Sequence, residues 1–97
     1  MENRIKAAIE NKLVIEFYYK NDLRKVEPFV LGIANNGNIL LRAFQVGGES
    51  TDSSSYSWKL FTVNKISELR LSGENFRGER TLYNPNDSVF NEIYARI

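Results

Sequence analysis

The hydrophobic and polar positions of the chain alternate with a period of two through most of its length. Residues 13–19 are the clearest case, because Leu13, Ile15, Phe17 and Tyr19 share one face and the residues between them share the other. β-Branched and aromatic side chains dominate this run, which favours a strand. Similar runs, interrupted by a short corner at 64–65, predict further strands at residues 24–33, 38–46, 57–63 and 66–71.

Two short segments follow a helical period instead. Residues 2–12 place a narrow apolar stripe, formed by Ile5, Ala8 and Ile9, on one side of a helix. Later in the chain, Asn84 and Pro85 are typical of a helix start, with Asn as the N-cap and Pro at the first helical position. The apolar positions that follow them fit a helical stripe and are Val89, Phe90, Ile93, Tyr94 and Ile97. The pattern therefore predicts a short N-terminal and a short C-terminal helix.

Turn-forming residues separate the predicted strands. Residues 20–22 favour a turn because Asn and Asp tolerate a left-handed backbone. Asn36 and Gly37 predict a hairpin with a type I′ turn, which requires positive φ at both positions. Pro28 lacks an N–H donor, so we expect it at an edge, a bulge or a bend. Residues 47–56 are predicted to form a mobile loop able to cover a ligand.

The succession of elements indicates the fold class. Five short strands, joined by tight turns and flanked by two small helices, indicate a mainly β fold, a small barrel of SH3 or Sm type. An OB-fold is the main alternative, because periodicity alone does not determine strand order. The 97 residues contain no repeat or linker, so we expect a single domain spanning 1–97.

Composition narrows the classes of function. With 13 Lys and Arg against 12 Asp and Glu, the net charge of +1 gives no general attraction to nucleic acid or anionic membranes. Any such binding must come from a local patch. The chain has no Cys and no His, which removes thiolate chemistry, the usual general base and the commonest metal ligand. We therefore expect no enzymatic activity, no cofactor and no metal site.

The sequence also bears on location. No run of about 18 apolar residues is present, and the first residues lack the apolar segment of a signal peptide. We expect a cytoplasmic protein without a membrane partner.

Several segments together resemble the WYL domain. The residues that carry the resemblance are the aromatic end of the first strand at residues 17–19, Arg24 to Pro28, the strand at 39–44 and the stretch 59–66. The resemblance extends from about Ile5 to Leu71. It implies an Sm-like or SH3-like β-barrel that senses a ligand, with nucleic acid or a nucleotide as the leading candidate, as in bacterial transcription regulators.

The sequence departs from the family pattern at three places. The tripeptide that names the family falls on residues 39–41, of which only the Leu is retained. Lys59 and Lys65 stand where the family usually has Arg, and Lys cannot make the bidentate phosphate contacts of Arg. The residues before the first strand are also too few for a helix-turn-helix, so we expect a stand-alone domain that does not bind DNA in that way.

Five residues are the candidates for ligand binding. Arg42 lies between two apolar residues on one strand face, where it either points into a polar pocket or lies at the barrel rim. Lys59 and Lys65 flank a Phe and offer charge for phosphate beside a ring for stacking. Tyr19 and Arg24 are weaker candidates. For each basic residue the alternative is an ordinary solvated side chain.

Two functions are compatible with these residues. The first is a regulatory module that binds single-stranded nucleic acid or a nucleotide-like anion through the basic side chains, in the service of transcription or a larger machine. The alternative is a protein-interaction or oligomerisation module in which the basic residues only improve solubility.

Overall fold

The computed structural model describes residues 1–49 and 56–97. Within these ranges the chain forms one α-helix, six antiparallel strands and a short 3₁₀ turn at Val63–Lys65. The helix is α1 (Glu2–Glu10) and the strands are β1 (Leu13–Tyr19), β2 (Asp22–Ile33), β3 (Ile39–Gly48), β4 (Ser57–Thr62), β5 (Ser67–Asn75) and β6 (Glu92–Arg96). The mainly β fold class and the N-terminal helix are thus confirmed.

The longest strand, β2, organises the sheet. The strand order is β4-β3-β2-β1-β5, and β6 pairs with β2 beside this path. One edge of β2 pairs with β3 along most of its length, whereas the other pairs first with β1 and then, from Val30 to Ile33, with β6. The register shifts between Pro28 and Val30, as expected where a residue without an N–H interrupts the ladder. This break lets β2 bend and serve two successive partners.

The bent sheet carries apolar residues on both faces. The inner cluster lies between the sheet and α1, and its aromatic centre is Phe17, Tyr19 and Phe61, whose rings meet edge to face. The helix contributes its narrow stripe, Ile5 and Ile9 included, which is almost fully buried. A helix of nine residues is too short to persist alone, so this docking is what maintains it.

The outer cluster covers the opposite face of β2, β3 and β4. Phe29 is its centre and contacts the rings of Trp58, Phe76 and Tyr83. The segment after β5 crosses this face and is fastened by hydrogen bonds. Trp58 Nε1 donates to the carbonyl of Thr81 at 2.9 Å.

Arg80 adds a charged fastening to the same segment. Its Nε and Nη2 donate to the two carboxylate oxygens of Glu27 at 2.8 and 2.9 Å, and its guanidinium lies 4.4 Å from the Phe44 ring centroid. The carboxylate of Glu27 raises the already high pKa of Arg80 through these hydrogen bonds. A bidentate, partly buried pair of this kind holds the segment after β5 against the sheet.

The predicted C-terminal helix is wrong. Residues 92–96 form β6, in which Ile93 and Ala95 face the core while Tyr94 is partly exposed. The spacing of four between Ile93 and Ile97 satisfies a period of two as well as a helical period, so the pattern was ambiguous. Asn84 does accept a hydrogen bond two residues on, from the backbone N–H of Asn86 at 3.0 Å, but in a turn without a helix behind it.

The two hairpin turns differ from each other. Lys20 and Asn21 both have positive φ (53° and 64°) and connect β1 to β2 in the predicted turn. The hairpin at Asn36 and Gly37 is confirmed, but its type I′ turn is wrong, because of these two residues only Gly37 has positive φ (87°). The N–H of Gly37 donates to the carbonyl of Ala34 at 3.0 Å, so residues 34–37 form a tight turn. Gly37, the last residue of this turn, adopts the left-handed conformation.

The predicted loop at residues 47–56 begins later than expected. β3 continues to Gly48, and most of the remainder lies outside the described residues. The described ranges contain no helix long and apolar enough to cross a bilayer.

Candidate ligand-binding site

Arg24 is a cation at the end of the inner face of the sheet. Only 2% of its surface is exposed. Its Nη1 donates to Oε1 of Gln45 at 3.2 Å, and its Nη2 donates to the carbonyl of Tyr19 at 3.4 Å. The guanidinium also lies 5.9 Å from the ring centroid of Phe61. The sequence pattern suggested a solvated surface or a ligand site for Arg24, and the structure buries it.

The charge of Arg24 is only partly compensated. The carboxylate of Asp22 is 3.8 Å from Nη2, longer than a hydrogen bond. Nε of Arg24 and Oδ2 of Asp22 are buried without a hydrogen-bond partner among the described residues. A buried polar atom without a partner costs free energy, so this end of the sheet is polar and incompletely satisfied.

Tyr19 connects Arg24 to the second half of the chain. Its ring belongs to the inner cluster, and its hydroxyl accepts a hydrogen bond from the backbone N–H of Thr62 at 3.0 Å. Only 8% of its surface is exposed. Tyr19 therefore contributes a buried wall, and the neighbouring Tyr18, 39% exposed, supplies the accessible ring.

Lys59 lies within β4, and Lys65 lies in the 3₁₀ turn that follows this strand. Lys59 pairs across the sheet with Ala43, a member of the inner cluster, and shares the face of Phe61. It is half-buried and makes interactions of its own. Lys65 is exposed in the 3₁₀ turn beside Ser67.

A cleft runs between the β1–β2 turn and the start of β5. Its volume is about 390 Å³. Residues lining it are Tyr18, Tyr19, Lys20, Asn21, Lys65, Ser67 and Glu68. Because its lining contains two lysines and one glutamate, the cleft has a net positive charge. An exposed ring beside two ammonium groups suits an anionic ligand with a planar part.

Arg42 is separated from the other four candidate residues. It lies on the outer face, where its Nε donates to Oδ2 of Asp87 at 2.7 Å. The structure therefore brings Tyr19 and Lys65 together in one cleft, with Arg24 bonded to the carbonyl of Tyr19. It places Lys59 outside the lining of this cleft and Arg42 in a second pocket.

The polar partners of these residues were not predicted from the sequence. Asp22 lies two residues before Arg24 in β2 and so shares its face, but the sequence pattern assigned it to a turn. Gln45 approaches Arg24 because β2 pairs with β3, and this register is not visible in a single strand. Asp87 lies in the segment that the sequence predicted to begin the C-terminal helix. Among the described residues, no group of three or more His, Cys, Asp or Glu side chains is placed to hold a metal ion.

The chain was also compared with known proteins. No protein-family model, no curated protein and no solved structure matches it.

Proposed function

We propose that this domain binds single-stranded nucleic acid or a nucleotide-like anion at the end of its inner face. The observation that carries this proposal is the cleft that Tyr19 and Lys65 line together with the exposed Tyr18. Arg24 donates to the carbonyl of Tyr19 beside this cleft, and Lys59 lies on the strand that leads to Lys65. Lysine charge would neutralise phosphate, and an exposed tyrosine ring would stack on a base.

Electrostatics support an anionic ligand. Lys65 is exposed to solvent, while Arg24 is buried beside Tyr19 and its Nε has no hydrogen-bond partner in the described part of the chain. A buried charge is screened less by salt than an exposed one, and Asp22 at 3.8 Å offsets part of the charge of Arg24, so Arg24 adds a reduced positive potential beside the cleft. The resemblance of the sequence to the WYL domain supports the same assignment and a role as an accessory regulator of transcription.

The test is a titration of a fluorescently labelled single-stranded oligonucleotide at two salt concentrations. We expect binding that weakens with salt, and Lys59→Ala/Lys65→Ala should reduce affinity at least about tenfold at low salt. Loss of two phosphate contacts should also reduce the slope of log K against log salt by about 1.4. If a mononucleotide displaces the oligonucleotide, the site recognises a single nucleotide and does not require a longer strand.

The matched control is Lys6→Ala/Arg77→Ala. These two residues are exposed, and the double substitution removes the same charge, but Lys6 lies on α1 and Arg77 beyond the far end of β5. We expect nearly unchanged affinity. An equal loss in both double variants, or binding indifferent to salt, would contradict a specific site and favour the protein-interaction module.

A further inference from the structure

A second pocket lies on the outer face of the sheet, where the segment after β5 crosses β3 and β4. Its volume is about 270 Å³, slightly below the range of about 300–1,000 Å³ typical of drug-sized ligands. Its lining residues are Arg42, Trp58, Leu82, Tyr83, Asn84 and Asp87. This pocket is separate from the cleft at the end of the inner face, and its size suits a molecule no larger than a single amino acid.

One wall of the pocket is an ion pair with free bonding capacity. Arg42 uses Nε to reach Asp87, and its side chain is 27% exposed. Among the described residues, neither Nη1 nor Nη2 of Arg42 donates a hydrogen bond. Asp87 Oδ1 accepts from the backbone N–H of Val89 at 3.2 Å, which leaves lone pairs on both carboxylate oxygens. The wall therefore offers donors and acceptors side by side.

The other wall is apolar and rigid. Trp58 is fixed by its hydrogen bond to Thr81 and by contacts with Phe29, Phe44 and Tyr83, the last nearly parallel at 20°. A ring held in this way loses little entropy when it binds a ligand.

Leu82 forms the rim of this wall. It is 86% exposed and has a φ of 70°, a left-handed conformation that bulky residues seldom adopt. An exposed leucine held in a strained backbone beside an aromatic pocket is an observation that calls for a function.

The charges determine what this pocket accepts. Because Asp87 neutralises Arg42, the pair does not attract a phosphate dianion, and the carboxylate would repel any purely anionic ligand. A ligand with both a negative and a positive group satisfies both partners. Its carboxylate would accept from Nη1 and Nη2 of Arg42, its ammonium would donate to Asp87, and its side chain would pack between Trp58 and Leu82.

We propose that this pocket binds a free α-amino acid with an apolar side chain. The only tryptophan of the chain, Trp58, lines the pocket and so reports on it. The experiment follows tryptophan fluorescence while the purified protein is titrated with L-leucine, L-isoleucine, L-valine and L-methionine. We expect a saturable change with at least one of them.

Two analogues of leucine test the charge argument. 4-Methylpentanoate lacks the ammonium group and 3-methylbutylamine lacks the carboxylate. If leucine binds, each analogue should bind at least about tenfold more weakly, because each loses a charged hydrogen bond. If another amino acid of the series binds instead, its own deaminated and decarboxylated forms take this place.

Leu82→Ala tests the apolar rim without disturbing the fold, because the side chain projects into solvent. We expect an affinity about five- to tenfold weaker. Leu71→Ala is the matched control, since this leucine is 59% exposed on β5, and it should leave the affinity unchanged. Absence of saturation for all four amino acids, analogues that bind equally well, or equal effects of both leucine variants would overturn the proposal.

Discussion

Arg24 is a residue whose burial depends on several neighbours at once. Gln45 and the carbonyl of Tyr19 accept its hydrogen bonds, and Asp22 lies 3.8 Å away with opposite charge. Removing one member of a buried ion pair leaves the other charge uncompensated, which usually costs more than the pair itself contributes. The energetic role of Arg24 should therefore depend on the presence of Asp22.

We predict that Arg24→Met lowers the free energy of unfolding by about 2–4 kcal/mol, because the carboxylate of Asp22 then lacks a cation. Arg24→Met/Asp22→Asn should recover at least half of the loss, since no buried charge remains. Urea denaturation of the two single variants and the double variant measures this coupling.

The control for this cycle is Arg70→Met. Arg70 donates to Glu16 at 2.8 Å, but its side chain is 65% exposed, so its removal should change stability by less than about 1 kcal/mol. Strictly additive effects of the Arg24 and Asp22 substitutions would contradict the dependence of one on the other.

At the scale of elements, the contact between β2 and β6 depends on Gly32. A Cβ at this position would overlap the carbonyl oxygen of Glu92 and lie 2.8 Å from the ring of Phe90. The side-chain-free position thus allows the last strand to approach β2 closely. Gly47 is a useful comparison, because a Cβ there would meet only the side chain of Lys25 at ordinary distances of 3.5 and 3.6 Å.

We predict that Gly32→Ala destabilises the protein by about 1–3 kcal/mol by forcing β6 away from β2. Hydrogen exchange of residues 92–96 should accelerate. Gly47→Ala should stay within about 0.5 kcal/mol of the wild type. Unchanged exchange in Gly32→Ala would argue against the pairing of these strands.

The elements differ in how far the sequence specifies them. β1 was predicted with its observed bounds, because one of its faces is apolar throughout and β-branched and aromatic side chains fill most of the run. β6 was missed because its pattern is short and its partner, residues 30–33 of β2, is distant in sequence. The same limit applies to the candidate site. The basic residues were visible in the sequence, and so was Asp22, two residues before Arg24. Gln45 and Asp87 reach Arg24 and Arg42 only through strand register and tertiary contact.

At the scale of the whole molecule, two side chains make the free energy of unfolding depend on pH in alkaline solution. Burial raises the pKa of Tyr83, whose hydroxyl donates to the carbonyl of Ile97 at 2.9 Å. The ion pair with Glu74 raises the pKa of Lys25, chiefly through its hydrogen bond. Both groups hold their protons more tightly in the folded than in the unfolded state. Their contributions are therefore complete below about pH 10 and are lost as pH rises through the folded-state pKa values.

We predict that the free energy of unfolding decreases as the pH rises above about 10. Tyr83→Phe should lower stability at neutral pH by about 1 kcal/mol, through loss of the hydrogen bond to Ile97, and should make the alkaline decrease shallower. Urea unfolding across this pH range measures both effects. Parallel curves for the two proteins would show that Tyr83 does not carry the dependence.

The pairing of β1 with β5 has a consequence for the order of events during folding. β1 first meets β2 through a two-residue turn, which forms quickly, but Ile15 also pairs with Leu71, far along the chain. During synthesis, β1 therefore cannot pair with β5 until β5 has left the ribosome. Phe17 stays incompletely covered until Phe61 has also emerged. Such distant pairing slows folding and prolongs the exposure of apolar surface on the nascent chain, where chaperones act.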